Sequence, residues 1–273
     1  MVAIVSTVTA DSGSWETGLR DHGSAAGESA PTIVLLHGLM GRGRTWRRQI
    51  PWLRRYGRVF TFDAAWHTGA GSVDLDDVAA DEIATERFVA DVAECLVWID
   101  RGPAVLIGHS MGGLHAWCTA AQYPELVAAL VVEDMAPDFR GQTTESWTPW
   151  FSTWPDRFAT PAEADAMFGP VAGRYFFEAF DDGRLHGDLE IWAAIAEEWG
   201  QRDFWAQWQQ VQAPTLLLEA EFSVTPAGQM YRMAETNAHA THLLIPGAGH
   251  LVHDDKPAVY RGAVEAFLSG VLT

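Results

Sequence analysis

A serine flanked by glycines is the feature whose residue types and spacing are best suited to chemistry. It is the centre of the run Gly108-His109-Ser110-Met111-Gly112, which follows a short apolar stretch and precedes a helical pattern. In a strand–turn–helix context, such a serine is held in a tight turn with its hydroxyl above a sheet. Side chains at the two glycine positions would collide with neighbouring backbone. The pattern predicts that Ser110 is a nucleophile that attacks a carbonyl carbon.

A serine hydroxyl is a weak nucleophile and needs a neighbouring base to accept its proton. His250 comes directly after the last apolar run of the chain, and the small residues before it leave its ring room to reach another loop. His253, three residues further on, is the nearby competitor. We predict that His250 is the general base.

A second glycine-containing loop, from His37 to Gly41, follows the first apolar run. Backbone N–H groups in such a loop can point at a negatively charged oxygen, as can the N–H of the residue after the nucleophile. We therefore expect the N–H groups of Leu39 and Met111 to form an oxyanion hole. We interpret His37 as a brace for the loop rather than a chemical group.

Together these segments resemble the α/β-hydrolase superfamily of serine hydrolases. The segments that carry the resemblance have the superfamily's order and spacing, and they are His37-Gly38, residues 63–67, the serine turn and Gly249-His250. The resemblance extends from about residue 31 to the C-terminus, with residues 138–212 matching only as a helical cap. It implies a mostly parallel sheet flanked by helices and a Ser–His–acid triad. It also implies an acyl-enzyme on Ser110 that reacts with water.

The acid of the triad is where the sequence departs from the family's pattern. The family usually places an aspartate in a segment resembling G-E-x-D after the strand predicted at residues 215–219, where this chain has Ser223. Some members carry the acid after the preceding strand, which is predicted at residues 129–133. Asp134 follows that strand and preserves the order Ser, acid, His, so we predict that Asp134 is the acid. The alternatives are Glu133, Glu219 and Glu221.

The apolar pattern also predicts the elements that position these residues. Short continuous apolar runs alternate with amphipathic helices, which indicates a mostly parallel sheet covered on both faces. The strands are predicted over residues 33–36, 58–62, 104–107, 129–133, 215–219 and 242–245. Amphipathic helices are predicted over residues 85–99, from the serine turn to about Gln122, and at the C-terminus.

The alternation breaks between residues 138 and 212, a segment with seven of the 13 tryptophans and no clear strand. We expect a hydrolase core from residues 1–137 and 213–273, with residues 138–212 inserted as a helical cap. Most aromatic side chains of the cap are expected to form its own core. A few are expected to face a substrate cavity.

The composition argues against several classes of partner. The chain has 36 acidic and 18 basic residues, a net charge of -18, so it would be repelled by phosphates and is not expected to bind nucleic acid. Cys95 and Cys118 are expected to be buried free thiols, and no metal or other cofactor is expected. The absence of a long apolar stretch or signal peptide predicts a cytoplasmic protein without stable membrane insertion.

Seven of the 18 basic residues lie between Arg42 and Arg58. We interpret this stretch as mostly a solvated helix face, since exposed charges of this kind are screened. The alternative is a patch for an anionic substrate or a membrane surface.

The aromatic cap favours an apolar acyl or aryl group, so the leading hypothesis is a carboxylesterase whose partner is a small apolar ester. The same fold and nucleophile also support lipase, thioesterase, lactonase, carbon–carbon bond hydrolase and haloperoxidase-like activities. From another class, the serine at position 223 suggests a non-catalytic ligand-binding protein on a hydrolase scaffold.

Overall fold

Short runs of aliphatic and β-branched residues form the central sheet of the computed structural model, which describes residues 18–68, 74–142, 149–180 and 183–272. The sheet has seven strands in the order β1-β3-β2-β4-β5-β6-β7. The strands are β1 (Leu19–Asp21), β2 (Thr32–Leu36), β3 (Arg58–Phe62), β4 (Ala104–His109), β5 (Val127–Glu133), β6 (Thr215–Phe222) and β7 (Ala240–Gly249). Only β1 pairs antiparallel, with β3, and every other pairing is parallel. The predicted fold class is confirmed.

Helices connect the parallel strands, as the long crossovers between them require. They are α1 (Ile50–Leu53), α2 (Thr85–Ile99), α3 (Met111–Gln122), α4 (Pro161–Phe168), α5 (Pro170–Ala179), α6 (Leu189–Gly200), α7 (Trp205–Trp208), α8 (Gln229–Thr236), α9 (Val252–Asp255) and α10 (Pro257–Val271). Along the described parts of the chain, none of the helices is long and apolar enough to cross a membrane.

Both faces of the sheet are buried, and the side chains of each strand alternate between the two faces. In β2, Ile33 and Leu35 pack in the cluster that includes residues of α10, whereas Val34 and Leu36 pack in the cluster that includes residues of α2 and α3. Both sides are therefore hydrophobic core, which explains why the strands are continuous apolar runs.

Elements β3 and α2 have the predicted bounds, and α3 runs from the serine turn to Gln122 as predicted. Strands β2 and β4 to β7 are longer than predicted: in β4 the pairing continues through Gly108 and His109, and β5 begins two residues earlier, at Val127. The prediction missed β1, a three-residue antiparallel edge strand without an apolar run.

The interpretation of residues 42–58 as mostly a solvated helix face is wrong. The stretch contains a 3₁₀ turn at Gly43–Trp46, the single-turn helix α1 and the first residue of β3. Arg42 is buried and pairs with Asp63, with 3.6 Å between Nε and Oδ2. Arg48 pairs with Asp254 at 2.9 Å. Carboxylates of the chain itself neutralise these arginines, which is why they do not form one solvated face.

Helices α4 to α7 lie between β5 and β6 in the chain, within the segment predicted to be a cap. We call residues 149–180 and 183–212 the cap segment. Its aromatic side chains are largely buried, and they share one hydrophobic cluster with residues of α2 and α3. Trp147 and its immediate neighbours lie outside the described residues. The boundaries at residues 137/138 and 212/213 stay predictions.

Candidate active site

Ser110 lies in a strained turn between β4 and α3. Its φ of 51° and ψ of -125° are in a region that side-chain-bearing residues rarely adopt. The Ser110 N–H donates to the Glu133 carbonyl at 2.8 Å, which ties the turn to β5. A Cβ on Gly108 would overlap the backbone of Gly112, and a Cβ on Gly112 would overlap the backbone of Leu36. Glycine is therefore required at both positions for the turn to close.

His250 follows β7 and contacts Asp134, which follows β5. The distance from His250 Nδ1 to Asp134 Oδ2 is 2.7 Å. Asp134 is fully buried, its other oxygen accepts the N–H of Ala220 at 2.9 Å, and its own N–H donates to the Leu218 carbonyl at 2.9 Å. A carboxylate at Nδ1 places the imidazole proton there and leaves Nε2 as an acceptor.

Glu133, one of the alternative acids, contacts a different histidine. Its carboxylate lies 2.8 and 2.9 Å from Nδ1 of His253 and accepts the His253 N–H at 3.0 Å. The His253 ring is buried and stacks on Trp46, with 4.6 Å between ring centroids. Burial lowers the pKa of His253, but the carboxylates of Glu133 and Asp254 together outweigh it and the pKa is raised. Glu133 and His253 thus form a second imidazole–carboxylate pair.

The other alternative acids are engaged elsewhere. Glu219 lies 2.6 Å from Nε2 of His242, and Glu221 accepts the N–H of Gly247 at 2.7 Å. The hydroxyl of Ser223 forms hydrogen bonds within its own turn. The structure therefore brings Asp134 to His250 and leaves Glu133, Glu219, Glu221 and Ser223 with other partners.

His109 separates the two imidazole–carboxylate pairs. Its ring centroid lies 4.6 Å from that of His250 and 5.4 Å from that of His253. Its Nε2–H donates to the His250 carbonyl at 3.0 Å. Burial holds the pKa of His109 well below its usual range, and the neighbouring imidazoles lower it further. A neutral His109 therefore holds the backbone of His250.

Hydrogen bonds within the loop after β2 fix the direction of the Leu39 N–H. The Gly38 carbonyl accepts the His37 Nδ1–H at 2.8 Å and the Gly41 N–H at 2.9 Å. A trans peptide is planar, so the Leu39 N–H points opposite to the Gly38 carbonyl. His37 Nε2 accepts the Ala64 N–H at 3.0 Å, and burial lowers the His37 pKa, so the ring is a neutral brace. Reversing the Leu39 N–H would break both bonds to the carbonyl.

Ser110 and His250 line the same cavity, with a volume of about 400 Å³. Leu39 also lines it, while Met111 begins α3 and so has an N–H without an acceptor inside the helix. No hydrogen bond joins Ser110 Oγ to His250 Nε2 among the described residues. In enzymes this contact is often formed only when substrate is bound.

The opposite wall of the cavity comes from the cap segment. Its lining residues are Trp150, Met167, Phe168, Ala172, Tyr175 and Phe176. Of the described residues around the cavity, those with polar side chains are His109, Ser110, Tyr175 and His250, and none is an aspartate, glutamate, lysine or arginine. A serine and an imidazole thus lie at the base of a largely apolar cavity.

Sequence reasoning identified the aromatic-rich segment but not which of its residues line the cavity. Tyr175 and Phe176 are adjacent in α5, and both contribute to the wall. Val224, after β6, also lines the cavity and was missed, since a lone valine in a polar loop gives no signal. His186 was missed as well, although its ring contacts the Gly41 carbonyl.

A comparison with known protein families identifies the family of this chain. The model of the alpha/beta hydrolase family matches residues 33–263, and the chain belongs to this family. It is 24% identical over 255 residues to a 2-(acetamidomethylene)succinate hydrolase of Mesorhizobium japonicum, covering 88% of each chain. It is 28% identical over 259 residues to an sn-1-specific diacylglycerol lipase of Mus musculus, covering 88% of this chain and 81% of the lipase.

A solved structure shares the architecture. A thermophilic esterase from Thermogutta terrifontis, solved with malate bound, superposes with a TM-score of 0.71 at 25% sequence identity. The match covers 93% of each chain. The family and the fold are therefore established together.

Proposed function

We propose that the protein is a serine hydrolase that cleaves carboxylic esters of apolar acyl or aryl groups through an acyl-enzyme on Ser110. The observation that carries the proposal is the His250–Asp134 pair at the same apolar cavity as Ser110. The likeness to a lipase and to an esterase supports it. Related activities on thioesters, lactones or carbon–carbon bonds would use the same groups.

The proposed reaction has two halves. Ser110 Oγ attacks the ester carbonyl while His250 Nε2 takes its proton, and the Asp134 carboxylate stabilises the imidazolium that results. The Leu39 and Met111 N–H groups stabilise the oxyanion. His250 then returns the proton to the departing alcohol. In the second half, His250 takes a proton from water, which attacks the acyl-enzyme. As the bond from the acyl carbon to Ser110 Oγ breaks, His250 gives the proton to Oγ, and the carboxylic acid is released.

The lining of the cavity favours a neutral substrate. A carboxylate on the substrate would enter a cavity whose described lining residues include no lysine or arginine, and an unpaired buried charge is costly. The net charge of -18 also repels anions. We therefore propose a small apolar ester as the partner of this protein. Nucleic acid is not a proposed partner, and the cytoplasm is the proposed location.

A matched pair of substrates tests the proposal. The p-nitrophenyl esters of butyric acid and of succinic acid have acyl chains of equal length and differ by a terminal carboxylate. We expect kcat/KM for the butyrate to exceed that for the hemisuccinate at least about tenfold, since the carboxylate lacks a partner. Ser110→Ala should lower kcat about 10⁴-fold. Turnover by Ser110→Ala close to wild type would contradict the nucleophile, and a preference for the hemisuccinate would contradict the substrate class.

A further inference from the structure

Three buried imidazoles converge on the loop that carries the Leu39 N–H. His37 lies at the start of the loop, His67 follows β3, and His186 lies between α5 and α6 in the cap segment. Each of the three is at most 2% exposed. His37 Nδ1–H holds the Gly38 carbonyl, which precedes Leu39. The other two hold the backbone that follows Leu39.

His67 accepts a hydrogen bond from the backbone just after Leu39. Its Nδ1–H donates to the Ala65 carbonyl at 2.8 Å, and its Nε2 accepts the Met40 N–H at 3.2 Å. Burial holds the pKa of His67 well below its usual range, so the ring is neutral and Nε2 remains an acceptor. Met40 has a φ of 65°, which is unfavourable for a residue with a side chain. Neighbouring contacts must hold that conformation.

His186 contacts the far end of the loop from the cap segment. Its Nε2–H donates to the Gly41 carbonyl at 3.3 Å. Trp192 packs against both rings, stacked on His67 at 5.2 Å and tilted against His186 at 5.1 Å. A Cβ on Gly41 would collide with the hydroxyl of Tyr175, another residue of the cap segment. The cap segment therefore touches the loop directly, two residues after Leu39.

We propose that His67 and His186 are positioning residues for the oxyanion hole, and that the His186 contact makes the direction of the Leu39 N–H depend on the cap segment. The proposal rests on the proposed function of Ser110. Its physical basis is that Leu39 lies between peptide groups held on both sides. The hydrogen bond from His37 fixes the plane of the peptide group between Gly38 and Leu39. The hydrogen bonds of the Met40 N–H and the Gly41 carbonyl fix the chain after Leu39.

Two substitutions at His186 separate the donor from the ring. His186→Phe keeps an aromatic ring but has no N–H, whereas the amide of His186→Gln can place an N–H near the position of Nε2. We expect kcat for p-nitrophenyl butyrate to fall about ten- to a hundredfold in His186→Phe, below the loss for a deleted oxyanion donor. KM should change less than about threefold. His186→Gln should stay within about threefold of wild type.

A boronic acid inhibitor reports on the hole itself. Butylboronic acid can add to Ser110 as a tetrahedral adduct with an oxygen in the hole, so its affinity should fall in parallel with kcat. His67→Phe should behave like His186→Phe. As a control, His242→Phe removes a histidine that is paired with Glu219 on β6, and it should leave both quantities within about twofold.

Several results would overturn the proposal. One is that both phenylalanine variants keep kcat and boronate affinity within about twofold of wild type. Another is that His186→Gln loses as much as His186→Phe, since the donor would then not matter. If His186→Phe does not fold, His186→Asn takes its place, because its amide is too short to reach Gly41. An active Ser110→Ala would contradict the proposed function itself, whatever the histidine variants show.

Discussion

Two consecutive acids at the end of β5 each hold an imidazole, yet the two pairs have different surroundings. Asp134 contacts His250, whose side chain is 24% exposed and lines the cavity. Glu133 contacts His253, whose side chain is 1% exposed and lies under Trp46. The hydrogen bonds are similar, at 2.7 and 2.8 Å. Access to the nucleophile therefore distinguishes the candidate catalytic pair from a buried structural pair.

Replacing each histidine by alanine should give the largest difference between an effect on activity and an effect on stability. We expect His250→Ala to lower kcat by about 10⁴-fold and to lower the free energy of unfolding less than His253→Ala does, because Asp134 keeps the N–H of Ala220 and water from the cavity can take the place of the imidazole. His253→Ala should instead destabilise the fold by about 3–5 kcal/mol, because it leaves the Glu133 carboxylate buried without its partner. Ester hydrolysis and urea unfolding measure the two effects.

In that experiment, the folded fraction of His253→Ala should retain kcat within about tenfold of wild type. If His253→Ala is as inactive as His250→Ala while fully folded, the two pairs do not differ as we propose.

Replacing each acid by its amide tests the difference between the two pairs with a smaller change in side-chain shape. Asp134→Asn should lower kcat about 10²- to 10⁴-fold, because the imidazolium loses its carboxylate and the ring can adopt the wrong tautomer. Glu133→Gln, the matched control, should cost less than about tenfold in kcat. Equal losses in both variants would show that the two carboxylates act as one unit. An active Asp134→Asn beside an inactive Glu133→Gln would reassign the acid.

The pH dependence of stability should identify the buried pair. The pKa of His253 is raised in the folded protein, so its contribution is fully present below the unfolded value of about 6.5 and is lost as pH rises through the folded pKa. We expect the free energy of unfolding to decrease above pH 6.5, by up to about 1.4 kcal/mol for each unit of pKa elevation.

His253→Asn keeps a donor near the position of Nδ1 but cannot titrate, so it should remove this part of the pH dependence. Chemical denaturation between pH 6 and 9 makes the measurement. A slope that is unchanged in His253→Asn would contradict the assignment of the charge to His253.

The smallest effect is expected at the rim of the buried pair. Arg48 pairs with Asp254 beside His253, but the arginine is 38% exposed and does not line the cavity. Arg48→Gln should therefore change kcat/KM for a neutral ester by less than about threefold. A large, salt-dependent loss would instead indicate that this arginine attracts an anionic substrate.

The sequence predicted the sheet, the serine turn and the histidine after β7, because each depends on a local pattern of apolar runs and glycines. It favoured Asp134 as the acid, from the order of the triad residues, but left Glu133 as an alternative. Their side chains are distinguished by the bend at Asp134, where φ is 48°, and by partners more than 100 residues away. Such a bend leaves no local signal in residue types.

The contact between the cap segment and the loop after β2, which carries the Leu39 N–H, could not be predicted from the sequence either. His186 and Gly41 are 145 residues apart, and a lone histidine in an aromatic-rich segment has no spacing that points to a partner. Residues 42–58 show the converse. A local charge pattern suggested an exposed helix face, whereas Arg42 is buried against Asp63 by tertiary contacts.

Covalent labelling tests the central claim, that Ser110 is activated by His250 rather than by the second pair, most directly. Wild-type protein and the variants Ser110→Ala, His250→Ala and His253→Asn are treated with a fluorophosphonate and followed by intact mass and peptide mapping. We predict one adduct on Ser110 in the wild type and in His253→Asn, none in Ser110→Ala, and labelling at least about 10²-fold slower in His250→Ala. An unlabelled Ser110 in folded wild-type protein, or unchanged labelling in His250→Ala, would contradict the claim.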